Sequence, residues 1–521
     1  MSAAISYHQA TKYTPENIGS HPGLDWERQP LPYKDYDSLS PIELAPWLPF
    51  DPNPFTGQAR TSQGVPRDNE VTLSTLSRWL YAAYGITGVI PNQPRPTYLR
   101  AAPSAGGLYP AEIYLAVADV PLLTPGLYGY DPRRHRLIPL WEGSDVHAHL
   151  VQACYGSAAI QAAPASLIVS GIFERSRWRY GERAYRRILL DSGHLLGNAC
   201  LMAPPLGLRV HLTAAFCDQR LAELLRLDAQ DEGALAVVAL NTRGQPERPS
   251  WSALPSPVGQ APVVDANQAH GSPFLAALHR ASALPSDRPR LIPGGDELQS
   301  QLAARYGWSS GIALGDELGA FAGGGSLGAD PFTSIVQRRS TRSFQRTAMS
   351  RGQLAAILSC AYNPVAMGLG EQPTIERSRL MTFVAVSAVD GLESGVYYLA
   401  PHGMELRLVR KGVSRQALQY LCLSQELGGD AAAVVFHTVD LQAAVTLFGD
   451  RSYRYLHLDA GLLGERLSLG ALNCGCGASG IGGFFDDHVT ELLGIPSDQA
   501  VVYITTLGIP EAADEEPQDE E

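Results

Sequence analysis

At 521 residues, with 45% hydrophobic and 18% charged residues, the chain is long enough for two or more globular domains with cores of their own. A net charge of −12 argues against nucleic acid as a general partner, because phosphate binding needs surplus Lys and Arg. No apolar run of roughly 18 residues occurs, so no membrane span is expected. The polar stretch Met1 to Pro30 does not read as a secretory signal, so a cytoplasmic location is expected.

In chain order, residues 1–65 are irregular and Pro-rich and read as an extended arm lying over the core. Residues 66–241 read as a first domain. Leu76, Leu80 and Ala83-Tyr84 fall at helical spacing, and Ala111 to Val120 reads as a strand. Gly126-Leu-Tyr128, Pro132 and Leu137 suggest a hairpin. Leu167 to Ile172 is a buried strand, a long helix begins near Arg183, and Ala234 to Leu240 closes the unit. Residues 242–330, rich in Pro, Gly, Ser and Ala and carrying Gly323-Gly-Gly325, read as a linker. Residues 331–510 repeat the order of the first domain, with Leu354, Leu358 and Ala361-Tyr362, then strand Leu380 to Val389. The hairpin at Gly395-Val-Tyr397, strand Ala432 to Val439, a helix near Arg451 and strand Ala500 to Leu507 follow. The acidic tail, residues 511–521, reads as a solvated end.

The order repeats because the sequence does. Tyr180-Gly-Glu-Arg-Ala-Tyr-Arg-Arg-Ile-Leu-Leu-Asp-Ser-Gly193 realigns, at an offset of 268, with Phe448-Gly-Asp-Arg-Ser-Tyr-Arg-Tyr-Leu-His-Leu-Asp-Ala-Gly461 (180 to 448). The same offset matches Phe216-Cys-Asp218 to Phe484-Phe-Asp486 and Glu223-Leu-Leu225 to Glu491-Leu-Leu493. Two copies of one α+β fold follow.

Three clusters could carry chemistry. Arg338-Arg-Ser-Thr-Arg342 offers guanidinium forks and hydroxyls suited to a phosphate, although a solvated basic helix start would read the same alone. Arg100-Ala-Ala-Pro-Ser-Ala-Gly-Gly-Leu-Tyr-Pro110 forms an irregular small-residue loop, with Pro103, Ser104, Ala105 and Gly106 open to a flat ligand or simply turning the chain. Gly480-Ile-Gly-Gly-Phe-Phe-Asp-Asp487 bares backbone at Gly480, Ile481, Gly482 and Gly483, whereas the matched Thr213-Ala-Ala-Phe-Cys-Asp218 of copy one does not. The seven cysteines (Cys154, Cys200, Cys217, Cys360, Cys422, Cys474 and Cys476) are scattered and read as reduced thiols. Only Cys474 and Cys476 lie close together, and nothing completes a four-ligand set, so no metal is expected.

In this order, an Arg-Arg-Ser-x-Arg start, a Pro-Ser-Ala-Gly loop and a Gly-Gly-Phe-Asp turn resemble the FMN-dependent nitroreductase superfamily. Tyr7-His-Gln-Ala-Thr-Lys-Tyr13, Leu24-Asp-Trp26, Gln29-Pro and Pro32-Tyr-Lys34 are similar to its SagB/ThcOx-type branch, which includes azoline oxidases acting on peptides. The resemblance implies two fused nitroreductase-like domains paired as an intramolecular pseudo-dimer. It also implies FMN held by Arg338, Arg339, Ser340, Arg342 and Gly480 to Gly483 of copy two, with Pro103 to Gly106 lent by copy one. In copy two the loop is replaced by Gln372-Pro-Thr-Ile-Glu-Arg-Ser378, and copy one lacks an Arg-Arg-Ser start near Arg60, so a single complete site is expected. In azoline oxidases a Lys-Tyr pair helps remove the substrate proton; here the pair is Arg179-Tyr180. Arg179 cannot be a base, but its charge could lower the Tyr180 pKa, leaving the phenolate as the base. The implied activity is two-electron transfer at FMN N5, with a small-molecule or peptide substrate stacked near Arg179 and Tyr180. An NAD(P)H-dependent nitroreductase-like enzyme is an alternative, and a flavin- or peptide-binding protein without turnover another. Further homo-oligomers remain open.

Overall fold

The computed structural model describes residues 2–19, 23–36, 40–44, 70–91, 96–242, 253–256, 274–287, 290–293, 310–320, 331–497 and 499–511. The Gly323-Gly-Gly325 join and almost all of the acidic tail lie outside them.

Each copy begins its core with a helix fixed by reciprocal capping. Thr72 and Thr75 cap Leu73–Tyr84, and Ser350 and Gln353 cap Arg351–Tyr362, satisfying backbone donors that a helix start leaves open. Each copy then builds a seven-stranded antiparallel sheet. In spatial order the first runs Ile42–Glu43, Arg136–Glu142, Gly126–Asp131, Ala111–Val117, Ala165–Ile172, Glu232–Thr242 and Leu208–Thr213. The second runs Ile312–Ala313, Glu405–Lys411, Gly395–Ala400, Met381–Val386, Ala433–Asp440, Gln499–Gly508 and Gly477–Ile481. Even the bulges repeat, between Leu127/Tyr128 and Val396/Tyr397, and between Val169/Ser170 and His437/Thr438.

Between the sheets lie two central helices, Ala184–Met202 and Ser452–Asn473, buried along almost their whole lengths. They cross at Gly193 and Gly461. A Cβ on Gly193 would fall 2.2 Å from the Leu458 carbonyl oxygen, and one on Gly461 2.2 Å from that of Leu190. Backbone cannot yield to such a contact, so Gly461→Ala is expected to cost about 1–3 kcal/mol in a urea unfolding titration.

Beside the crossing, buried ion pairs run both ways between the copies. Arg183 and Arg186 of copy one each reach Asp486 of copy two at 2.7 Å, and Arg451 and Arg454 of copy two each reach Asp218 of copy one at 2.5 Å. The same patch is used on both sides, as in an isologous dimer interface. Fusion has therefore turned a dimer contact into an internal one, and the pseudo-dimer is the fold of a single chain.

Two expectations need correction. The N-terminal arm is not extended throughout, because it opens with helix Ala3–Ala10, capped by Ser2. Residues 242–330 are more than a linker, because they contain helix Phe274–Ala281, which repeats that arm. Tyr13 N donates to Asp486 Oδ2 at 3.1 Å, and Leu284 N donates to Asp218 Oδ2 at 2.9 Å. His8 meets the Tyr453 hydroxyl at 3.3 Å, and His279 meets that of Tyr185 at 2.8 Å. Ile42 pairs with Leu137 as Ile312 pairs with Leu406. Each copy carries its own arm, laid on the charged interface.

Candidate functional site

The loop before strand Ala111–Val117 is held by one carboxylate. Asp191, on the first central helix, accepts from Ser104 Oγ at 2.6 Å and from Ala105 N at 3.1 and 3.2 Å, while Ser104 Oγ accepts from Tyr109 N at 2.8 Å. Gly106 adopts φ +65°, and a Cβ there would stand 2.9 Å from the Tyr180 hydroxyl and 3.1 Å from Arg179 Cδ. The Pro103–Gly106 loop and the Arg179-Tyr180 pair thus meet face to face. In copy two Asp459 makes the matching latch, accepting from the backbone N–H groups of Ile375 (2.8 Å) and Glu376.

Burial raises both latch carboxyls to about 7, against the pull of their hydrogen bonds. A carboxyl raised above its unfolded value of about 3.9 contributes stability that is complete below that pH and is lost as pH rises through about 7. Asp459→Asn should therefore stabilise the protein at pH 8, by on the order of 1–4 kcal/mol, and change little at pH 4; thermal unfolding at the two pH values checks this.

The Gly-rich turn ends strand Gly477–Ile481 and leads into helix Asp486–Leu493. Above it lies Arg187 of copy one. A Cβ on Gly482 would fall 1.3 Å from Arg187 Nη1, and one on Gly483 3.6 Å from Nη2. Arg187 is 5% exposed, its Nε has no hydrogen-bond partner, and its guanidinium carbon sits 5.0 Å from the centre of the Tyr180 ring. A buried cation without a full set of acceptors is costly unless a ligand completes it. The matched residue in copy two is Tyr455, so this cation exists on one side only.

The basic cluster runs beside the turn, since Thr341 N donates to Ala478 O at 2.9 Å. Arg338 is buried and crosses to copy one, donating through Nε and Nη2 to Ala101 O at 3.3 and 3.1 Å, two residues before Pro103. Arg339 departs from the expected convergence. Its guanidinium is committed to Thr87 of copy one (3.2 Å to Oγ1, with a further bond to the carbonyl) and to the carbonyls of Val336 (3.0 Å) and Arg338 (2.7 Å). Ser340 is half-buried and Arg342 exposed.

Another departure concerns Tyr180. Burial raises its phenol above the ordinary value, and the charges of Arg187 and Arg179 offset this only in part. The suggestion that Arg179 makes Tyr180 a ready phenolate is thus corrected: desolvation wins, and the group stands as a protonated hydroxyl able to donate. The arm closes this edge, with Trp178 Nε1 donating to Asp25 O at 2.9 Å and Trp26 packed edge-on against Trp178 at 5.3 Å.

Arg187, Asp191, His194, Glu465 and Tyr503 were not singled out from sequence. Comparing the copies would have exposed some of them, since Tyr455 stands opposite Arg187 and Gly197 opposite Glu465. All seven cysteines are buried, and burial pushes the Cys474 and Cys476 thiols up to about 11 and about 12, as for core residues.

Comparison with known proteins agrees with this anatomy. The model of the nitroreductase family matches residues 62–241 and again 335–509. A crystal structure from Anabaena variabilis, described as a nitroreductase, is 41% identical, with 98% of this chain and 100% of that one covered and a TM-score of 0.85. The nitroreductase-type protein MJ1384 of Methanocaldococcus jannaschii is 36% identical over 157 residues, 30% of this chain and 75% of that protein. The trifolitoxin-processing protein TfxB of Rhizobium leguminosarum bv. trifolii is 30% identical over 203 residues, 38% of this chain and only 54% of its own length. No described helix is long and apolar enough to cross a membrane. With the fold present twice and matched over both copies, the chain belongs to the nitroreductase family of oxidoreductases.

Proposed function

We propose that the chain is an FMN-dependent dehydrogenase of the SagB type, with one flavin site made jointly by the two copies and a peptide azoline as substrate class. The carrying observation is one-sidedness: Arg338 against the Pro103 loop, Arg187 over Gly482 and Tyr180 against Gly106 gather at one of two pseudo-equivalent positions. The donor set suits the cofactor. Arg338, Arg342 and Ser340 offer cations and a hydroxyl for a phosphate, and Arg187 has an orphaned buried nitrogen beside bared backbone. When bound, FMN would supply two-electron acceptance; the protein's part is to hold, orient and shield.

Tyr180, kept protonated, would donate a hydrogen bond to the substrate and leave water to take the proton lost on oxidation, while Arg187 would stabilise negative charge developing nearby. Arg187→Met is expected to slow flavin reduction about 100-fold in stopped-flow absorbance, as for the loss of one preorganised donor at a developing charge. The likeness to the trifolitoxin-processing protein TfxB supports a processing role over general nitroarene reduction. The deciding experiment is anaerobic mixing with an azoline-bearing peptide or with NADH and NADPH. Bleaching of the flavin by the peptide supports this reading; bleaching only by a nicotinamide, followed by turnover with a nitroarene, supports a nitroreductase-like enzyme instead.

A further inference from the structure

A chain of buried polar contacts weaves between the copies behind the Gly-rich turn. Tyr503 stands against Gly480, where a Cβ would fall 1.8 Å from the hydroxyl. That hydroxyl is 2.8 Å from His194 Nε2 of copy one, and His194 Nδ1 is 2.6 Å from Glu465 Oε2 of copy two. Glu465 is fully buried, and its other oxygen has no hydrogen bond, lying 3.4 Å from Arg338 Nε as a bare ion pair. Arg338 ends the chain on Ala101 O of copy one.

Two other buried polar clusters of the interface come in pairs. The Arg183/Arg186–Asp486 cluster has its mate in Arg451/Arg454–Asp218, and the Asp191 latch has its mate in Asp459. This chain has none. At the matching positions Leu462 replaces His194, Gly197 replaces Glu465, and Ala236, paired with Val169 as Tyr503 is with His437, replaces the tyrosine. A fully buried carboxylate is costly even when paired, and apolar residues often serve stability as well. On the degenerate side apolar and small residues fill the same place.

We infer that His194, Glu465 and Tyr503 are positioning residues: Glu465 sets the Arg338 fork toward the cofactor's phosphate, and His194 and Tyr503 lock it to the Gly480 turn. This rests on the flavin reading above. Its signature is selectivity between FMN and riboflavin, which lacks the phosphate.

The test uses the full chain stripped of flavin, titrated with FMN and with riboflavin by fluorescence quenching. Glu465→Gln, nearly isosteric, should weaken FMN binding about tenfold or more and leave riboflavin binding unchanged. His194→Gln should do the same and serves if the first variant does not fold. Asp459→Asn, at the degenerate side, should leave the FMN-to-riboflavin ratio as in wild type. Equal weakening of both flavins, no weakening of either, or an equal change in Asp459→Asn would overturn the inference while leaving the flavin site intact. Failure of the wild-type chain to bind FMN would instead remove the reading beneath it.

Discussion

Asp486→Ala should lower the unfolding free energy by about 3–5 kcal/mol, because it strands two buried guanidiniums at once. Arg183 and Arg186 are each 2% exposed, and each meets Asp486 at 2.7 Å. Against the upward push of burial, their charges hold the Asp486 carboxyl well below the usual carboxylate range. A depressed carboxyl contributes stability present above the unfolded value of about 3.9 and lost as pH falls through the folded one, so wild type should lose this stability in acid below about pH 4. The variant should lack that acid limb. Asp218→Ala strands Arg451 and Arg454 and should cost a similar amount. The two should differ in function, because Arg183, steadied by Asp486, approaches Gly482 O of the Gly-rich turn at 3.5 Å, whereas the matching Arg451, steadied by Asp218, donates to Ala214 O, where copy one has lost the glycines. Urea titrations between pH 3 and 8 read the shared loss, and titration of both variants with FMN reads the one-sided effect.

Arg338→Ala should weaken FMN binding on the order of 100-fold, the scale of a charge-assisted hydrogen bond lost inside a desolvated site. It should also destabilise the flavin-free protein, since Glu465 would keep a buried charge with only His194 beside it. Arg338→Lys should restore charge but not the fork that spans Ala101 O and the site, so recovery should be partial. The mate of Arg187, Tyr455, offers a contrast: Tyr455→Phe lies at the degenerate position and should leave FMN affinity unchanged. Equal losses from Arg338→Ala and Tyr455→Phe would mean that the flavin does not sit where the two copies lend their parts.

Much of this was legible from residues alone, and the reason is length of signal. The gapless 268-residue offset from Tyr180 to Leu225 follows the central helix and the segment after it, where packing on both sides constrains almost every residue. The arm's repeat was not legible. It survives as His8-Gln-Ala-Thr11 against His279-Arg-Ala-Ser282, a short polar motif whose meaning lies in contacts far away in sequence, Arg186 on the His8 carbonyl and Arg454 on that of His279. Pattern reading also brought the Pro103–Gly106 loop, Tyr180 and the Gly480 turn to one region, but it could not weigh burial against charge at Tyr180. Nor could it foresee that Arg339 would be spent on Thr87. The His194–Glu465 pair was invisible for the same cause: neither residue has a local motif, and only the crossing of the two helices brings them to 2.6 Å.

The most direct test is the number of flavins each chain holds. Purified full-length protein, freed of endogenous flavin and titrated with FMN, should saturate at one equivalent per chain, and Arg338→Ala should remove that equivalent. Saturation at two, or no saturable binding, would contradict a single composite site.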